Sequence, residues 1–319
     1  MADLYIIKPG WQSTIQDLGR RGYFRMGLSE GGAMDEHAHR WANKLLENDQ
    51  NCACIEVLMG QFEAEFDSRT TIAVTGADLG LRLNGSPVDN WQTIPIKNGD
   101  RISLDQSVNG LRAYIGVVGG WQTPVRFCSR STVLREGLGG IDGAGLKTGQ
   151  ALAYTNSSIP VPMRTLSQSK RPDYTAELKL KLVPGYQFDH FSSFAKRRFF
   201  NNEYCVSQQI DRMGYRLEGP SIKASQQSLI SEGIAYGAIQ VPPDGQPIVL
   251  MRDRQTIGGY PKIGCLSSLD SSRLSQRVPG SRLTFELSDV ASSQTERQLF
   301  DRLLEAGRWT ESGNALLWP

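Results

Sequence analysis

Short apolar runs, each closed by glycine, proline, asparagine or aspartate, recur along this chain and limit what it can fold into. They fall at residues 4–8, 71–75, 101–104, 111–118, 178–183, 248–251 and 282–287. Runs of this length between turn residues predict β-strands joined by hairpins. Glycine is abundant, at 33 residues, as tight turns with left-handed backbone require. The predicted fold class is mainly β with a few short helices. One helix runs from a cap at Asp35 to about residue 48, because Ala38, Trp41, Ala42, Leu45 and Leu46 fall on one face. A second spans about 190–200. The third spans about 295–306, with Leu299, Phe300, Leu303 and Leu304 on one face and Gly307 as its stop.

At 319 residues the chain is long enough for two cores. Residues 155–175 carry Ser157-Ser158-Ile159-Pro160-Val161-Pro162 and Ser167-Gln168-Ser169-Lys170-Arg171-Pro172, without apolar periodicity. That composition reads as an exposed linker. The predicted division is an N-terminal β domain over 1–160, a C-terminal β domain over 176–290, and a helix and tail over 291–319. The two sides of the linker echo each other. Pro9-Gly10-Trp11-Gln12, Arg20 to Gly27 and Ser29-Glu30-Gly31 are matched in order by Pro184-Gly185-Tyr186-Gln187, Arg212 to Gly219 and Ser231-Glu232-Gly233. Such an echo suggests duplication of one β unit.

Several function classes are disfavoured. A net charge of +2 with scattered basic residues gives no electrostatic case for nucleic acid, and Lys196-Arg197-Arg198 reads as a solvated helix face. No apolar stretch is long enough for a membrane span, and the N-terminus enters a strand without a signal-peptide layout. Five cysteines without CxxC spacing fit a reducing compartment, so a cytoplasmic location is expected. His37 and His39 lie two apart on a predicted helix, where they do not share a face, so no metal site is predicted. Gly140 to Thr148 has one residue too many for a phosphate-binding P-loop and lacks its strand-to-helix setting. No Met-Lys-Met sequence offers a biotin attachment site.

Chemistry concentrates in three loops. Asp253-Arg254-Gln255-Thr256-Ile257-Gly258-Gly259-Tyr260-Pro261-Lys262 follows the run 248–251 and gathers a carboxylate, cations, an amide and a hydroxyl around paired glycines. Gly258 and Gly259 permit main-chain N–H groups to turn toward a ligand. Gln16, Asp17 and Arg20 lie in a second loop, where Arg20 either meets an anionic group or simply pairs with Asp17. Ser129, Arg130 and Ser131 follow the strand at 111–118 and suit an oxyanion or phosphate. No base accompanies these serines, which argues against a hydrolase triad. The Gly31-Gly32 turn before Asp35 either holds an anion at a helix end or is a plain tight turn.

Together these segments resemble the family called allophanate hydrolase subunit 2, also known as KipA or PxpC, and half of the carboxyltransferase domain of urea carboxylase. The resemblance rests on Thr14 to Arg20, Gly31 to Asp35, Ala42-Asn43, Ser129 to Thr132, Gly237 to Pro242 and Asp253 to Lys262. It implies tandem cyclophilin-like β-barrel domains. It also implies a partner of the subunit 1 (KipI or PxpB) type and, in 5-oxoprolinase, a third subunit of the LamB/YcsF type. The implied reaction is ATP-dependent opening of a small amide substrate, the lactam 5-oxoproline, to glutamate. ATP, with Mg²⁺, would be held by this chain or by its partner. Two alternatives follow from the same resemblance: a carboxyltransferase half working with separate biotin proteins on a urea-like amide, or a KipA-like regulatory binding protein. For the amide-opening reaction, Asp253, Lys262 and Asp17 are the expected catalytic residues. Arg254, Lys262 and the Gly258-Gly259 backbone would meet phosphate. Gln16, Arg20, Ser129, Arg130, Ser131, Gln240, Gln255, Thr256 and Tyr260 complete the expected substrate-binding set. Three positions depart from the family pattern: Cys128 where glycine is usual, Ala144 where arginine is common, and Gln150 where aspartate is common.

Overall fold

The computed structural model describes residues 2–155, 161–226 and 228–307, and the backbone of 309–311. The chain forms two units, and the division is not colinear. The first unit holds the chain up to Arg20, Gly31–Thr175, and the chain from Asp301; the second holds Arg21–Glu30 and Ala176–Phe300.

In the first unit a six-stranded sheet runs in the order Ala151–Tyr154, Ala2–Pro9, Gly60–Phe66, Arg101–Gln106, Leu81–Leu83, Ser86–Pro87. A seven-stranded sheet runs Gln12–Gln16, Cys54–Leu58, Asn109–Val117, Thr70–Asp78, Gln92–Ile96, Arg164–Leu166, Trp309–Glu311. Period-two alternation sends Leu4, Ile6, Phe62, Ala64, Phe66, Ile102 and Leu104 of the first sheet into one apolar core with Ile15, Ile55, Val57, Ile72, Val74 and Ile115 of the second. The helix α1 (Glu36–Leu45) is capped as expected: the Asp35 carboxylate accepts from the Ala38 N–H at 3.0 Å. It is tied to the sheet by the Thr75 hydroxyl, which donates to the Ala38 carbonyl.

The second unit is a closed barrel of seven strands: Leu178–Pro184, Lys262–Leu266, Ala238–Gln240, Ile248–Leu250, Gly214–Glu218, Tyr204–Ile210, Arg282–Leu287. Leu178, Leu180 and Leu182 face its interior and alternate with Lys179 and Lys181. The barrel closes through a parallel pairing of Leu178–Pro184 with Arg282–Leu287, in an otherwise antiparallel set. The mainly β expectation thus holds, with a barrel in one unit and two sheets in the other.

The local expectations meet the structure unevenly. The helix expected over 190–200 is α2 (Ser193–Phe200), preceded by a 3₁₀ turn and capped by Ser192. The serine-rich α3 (Ser268–Ser275) has no counterpart in the sequence reading; its hydroxyls bond back to carbonyls one turn earlier, and Ser271, Ser272 and Ser275 are buried. The C-terminal helix α4 (Val290–Ala306) starts a turn earlier than apolar spacing suggests. The linker reading needs correction. Residues 156–160 lie outside the described residues, but Arg164–Leu166 is a strand of the seven-stranded sheet with Leu166 fully buried. Arg164 is also buried, donating to the Leu45 carbonyl and paired with Glu47 at 2.5 Å. A polar strand whose arginine is satisfied internally leaves no apolar signature.

His39 on α1 is fully buried, edge-on to Tyr114 with ring centroids 6.2 Å apart. Burial pushes its pKa down to about 4. A histidine in the unfolded chain titrates near 6.5, so on acidification the unfolded state takes the proton first. Stability present above pH 6.5 is therefore lost as the pH falls toward 4, by on the order of 3 kcal/mol from this group. Urea unfolding at pH 7 and pH 4.5 should show a distinctly smaller loss for His39→Leu than for the wild type. Equal losses would assign the acid sensitivity to other groups.

Candidate active-site loops

In the first unit the strand Gln12–Gln16 ends at Asp17, which is 2% exposed. Its carboxylate accepts from the Ser129 hydroxyl at 2.7 Å, the Ser131 hydroxyl at 2.5 Å, the Arg130 N–H at 2.6 Å and the Gly19 N–H at 2.8 Å. Gln16 adds a second tie: its amide donates to the Thr132 carbonyl and accepts from the Gly32 N–H. The buried Arg20 donates to the Ser131 carbonyl. Gly139 is essential to this packing, since a Cβ there would sit 1.9 Å from the Ser131 oxygen. Gln16, Asp17, Arg20, Ser129, Arg130 and Ser131 therefore come together in one knot, in which Asp17 Oδ1 accepts from Gly19, Ser129 and Ser131 and Oδ2 from Arg130. The Arg130 side chain is half-buried and makes no side-chain hydrogen bond or ion pair among the described residues. Cys128, in the hairpin leading to Ser129, adopts φ +57°, a left-handed conformation that glycine takes at little cost.

In the second unit Asp253 follows the strand Ile248–Leu250 and is 4% exposed. Arg212 grips it with two parallel bonds, Nε to Oδ2 and Nη2 to Oδ1, both 2.9 Å. Asp253 N–H donates to the Arg212 carbonyl at 2.8 Å, locking the two loops at the backbone as well. The next residue, Arg254, lines a cavity of about 310 Å³. Gln240, Gln255 and Tyr260 also line it, with Met213, Ile234, Ile248 and Leu250 as its apolar part. The Gln240 and Gln255 side-chain amides make no hydrogen bond among the described residues. Gly258 allows close packing over Gln240: a Cβ would meet Ile234 Cδ1 at 2.7 Å and Gln240 Nε2 at 2.8 Å.

The Arg254 guanidinium is held on several sides. It donates to the Ile234 carbonyl at 3.0 Å and the Met251 carbonyl at 3.4 Å, pairs with Glu30 at 3.1 Å, and lies over the Phe24 ring. Burial lowers its pKa from the ordinary arginine value. Lys262 pairs with Glu232, which also accepts from Gln187 at 2.8 Å. The hydrogen bond from Lys262 holds Glu232 below the usual carboxylate range. Thr256 and Gly259 contribute carbonyls to the same loop, accepting from Ile234 and Leu229. Sequence reasoning missed Arg212, Glu30, Glu232 and Gln187. All four lie in the internal echo, the only signal that marked them.

The carboxyltransferase domain, subdomain A and B, matches residues 26–287. The C subunit of 5-oxoprolinase from Escherichia coli K12 is 35% identical over 315 residues, 96% of this chain and 98% of that protein. The corresponding C subunit from Haemophilus influenzae is 33% identical over 94% of this chain and 96% of that protein. The crystal structure of Kluyveromyces lactis urea amidolyase superposes with a TM-score of 0.89 at 25% identity, covering 97% of this chain and 20% of that one.

Removing one partner of the Arg212–Asp253 pair leaves a buried charge uncompensated, at a cost of about 3–5 kcal/mol. Arg212→Met should lower the denaturation midpoint accordingly, and Arg212→Met with Asp253→Leu should recover most of the loss. A single-variant cost below about 1 kcal/mol, that of an exposed pair, would mean the pair does not organise the loop.

Proposed function

The chain belongs to the carboxyltransferase subdomain A and B family, and from that premise we propose that it is one component of an ATP-dependent 5-oxoprolinase. The observation that carries this reading is the similarity to the C subunits of two 5-oxoprolinases, at 35% and 33% identity, which extends over nearly the whole length of each pair of chains. The reaction opens the lactam 5-oxoproline with ATP and water to give glutamate. Partners of the subunit 1 (KipI or PxpB) type and of the LamB/YcsF type complete the enzyme.

The cavity beside Arg254 suits one part of that work, binding the lactam. 5-Oxoproline, a five-membered lactam bearing a carboxylate, presents methylenes, an N–H, a carbonyl and that carboxylate. Met213, Ile248 and Leu250 supply apolar surface for the methylenes. The Gln240 amide both donates and accepts, so it matches a lactam C=O and N–H together. Arg254 offers its remaining N–H groups to the carboxylate. Asp253, expected as a catalytic residue, is committed to Arg212; the role its geometry supports is to fix the loop that carries Arg254. Asp17 serves its own loop in the same way and presents Arg130 as the cation with spare donors. ATP would supply the phosphoryl group that makes the lactam oxygen a leaving group, with ADP released.

The likeness to urea amidolyase supports a second reading, carboxyl transfer onto a urea-like amide. That reading requires a biotin carrier and a biotin carboxylase, and avidin would abolish its activity.

The test is reconstitution with the partner proteins, scoring ATP-dependent glutamate release from 5-oxoproline as each component is left out. Undiminished release without this chain overturns the assignment. In the active complex, Arg254→Ala and Gln240→Ala should each raise KM for 5-oxoproline by roughly 10-fold or more, the value of one lost polar contact to a charged or amide group. Unchanged KM in both would move the substrate site elsewhere.

A further inference from the structure

The two Ser-Glu-Gly elements of the internal echo converge on one loop. Ser29-Glu30 comes from the segment Arg21–Glu30, which the second unit holds although it belongs in sequence to the first half. The Ser29 hydroxyl donates to the Arg254 carbonyl at 3.0 Å, and Glu30 takes the Arg254 guanidinium at 3.1 Å. Ser231-Glu232 meets the same loop from the second half of the echo. Glu232 and Gly233 pair with Gly258 and Ile257 in a short antiparallel ladder, and the Glu232 carboxylate takes Lys262. The two cations of the Asp253 to Lys262 stretch are thus each met by one glutamate of the echo.

We propose that Glu30 and Glu232 are specificity-determining residues that fix the charge this loop accepts, admitting a neutral or singly charged amide and refusing polyphosphate. Two observations carry it beyond the presence of ion pairs. Arg254 is only 3% exposed and spends three of its five N–H groups on Ile234, Met251 and Glu30, so it cannot swing out to gather phosphate oxygens. Glu232 is itself positioned by Gln187, which comes from another turn of the echo. A triphosphate approaching this loop therefore meets two carboxylates and gains no uncommitted cation from Arg254 or Lys262. A single carboxylate needs only the two N–H groups that Arg254 has left. The phosphoryl donor then binds away from this loop. This inference rests on the lactam-binding reading above for the identity of the amide, but its charge rule does not depend on turnover.

The experiment is calorimetric titration of the full chain with inorganic tripolyphosphate at fixed ionic strength. The wild type is compared with Glu30→Gln, Glu232→Gln, the double variant, and the double variant carrying Lys262→Met. Tripolyphosphate should bind the double variant roughly 10-fold or more tightly than the wild type, as expected when two cations lose their counter-charges, and Lys262→Met should reverse most of that gain. Wild-type binding that is as tight as the double variant's and is lost on Lys262→Met would overturn the proposal. So would a folded double variant with no gain. Should the double variant lose its near-UV circular dichroism, Glu232→Gln alone decides by the same criterion, since its carboxylate is 41% exposed and tolerates the change. Because no substrate is present, failure here leaves the 5-oxoprolinase assignment standing, and failure of reconstituted activity leaves the charge rule standing.

Discussion

A carboxylate taken out of water must find donors at once, and in this protein that constraint shapes both candidate loops. Asp253 leaves the end of a barrel strand into a nearly dry environment, and the bidentate grip of Arg212 is what makes that burial tolerable. Everything downstream in the loop follows from the resulting backbone position. Arg254 is carried to the cavity wall, Gly258 is laid over Gln240, and Lys262 enters the next strand opposite Gln240. Asp17 solves the same problem in the first unit with different chemistry. Two hydroxyls and two N–H groups stand in for the guanidinium. The oxygens of both aspartates are engaged by donors of their own unit, and those contacts hold each loop in place.

The β architecture was legible because period-two alternation and glycine punctuation are local signals. Leu178, Leu180 and Leu182 between lysines can face only one way, and the structure puts them inside the barrel. The helix at Asp35 was legible for the same reason: cap and apolar face lie within a dozen residues. What failed was non-local. Arg164–Leu166 looks like linker because its arginine is satisfied by Leu45 and Glu47, more than a hundred residues away. α3 buries serines, whose hydroxyls fold back onto its own carbonyls and erase the apolar stripe. The transfer of Arg21–Glu30 to the second unit has no local signature at all.

The candidate site shows the same division. The residues that line the cavity from the 250–262 stretch were marked by their density of polar types beside paired glycines. Their counter-charges were not, because Glu30 lies 224 positions from Arg254 and Arg212 lies 41 from Asp253. The internal echo held both facts in plain view, since Arg212, Glu30 and Glu232 each sit in a repeated element. Repetition reports that a residue recurs, and only the fold reports which charge it meets.

The pairing of those glutamates also bears on how one loop can carry so many charges and remain stable. Arg254 and Lys262 with no partners would repel each other and any neighbouring cation, and Arg254, being buried, would lose its hydration without return. Glu30 and Glu232 remove that penalty, while their carboxylates stay partly exposed and so remain hydrated. Arg254 keeps its fork geometry, and both cations lose most of their long-range attraction. Under the charge rule proposed above, such a site would discriminate by shape and by short hydrogen bonds, with Gln240 and the residual N–H groups of Arg254 as the readers, and would leave electrostatic capture of highly charged ligands to other surfaces.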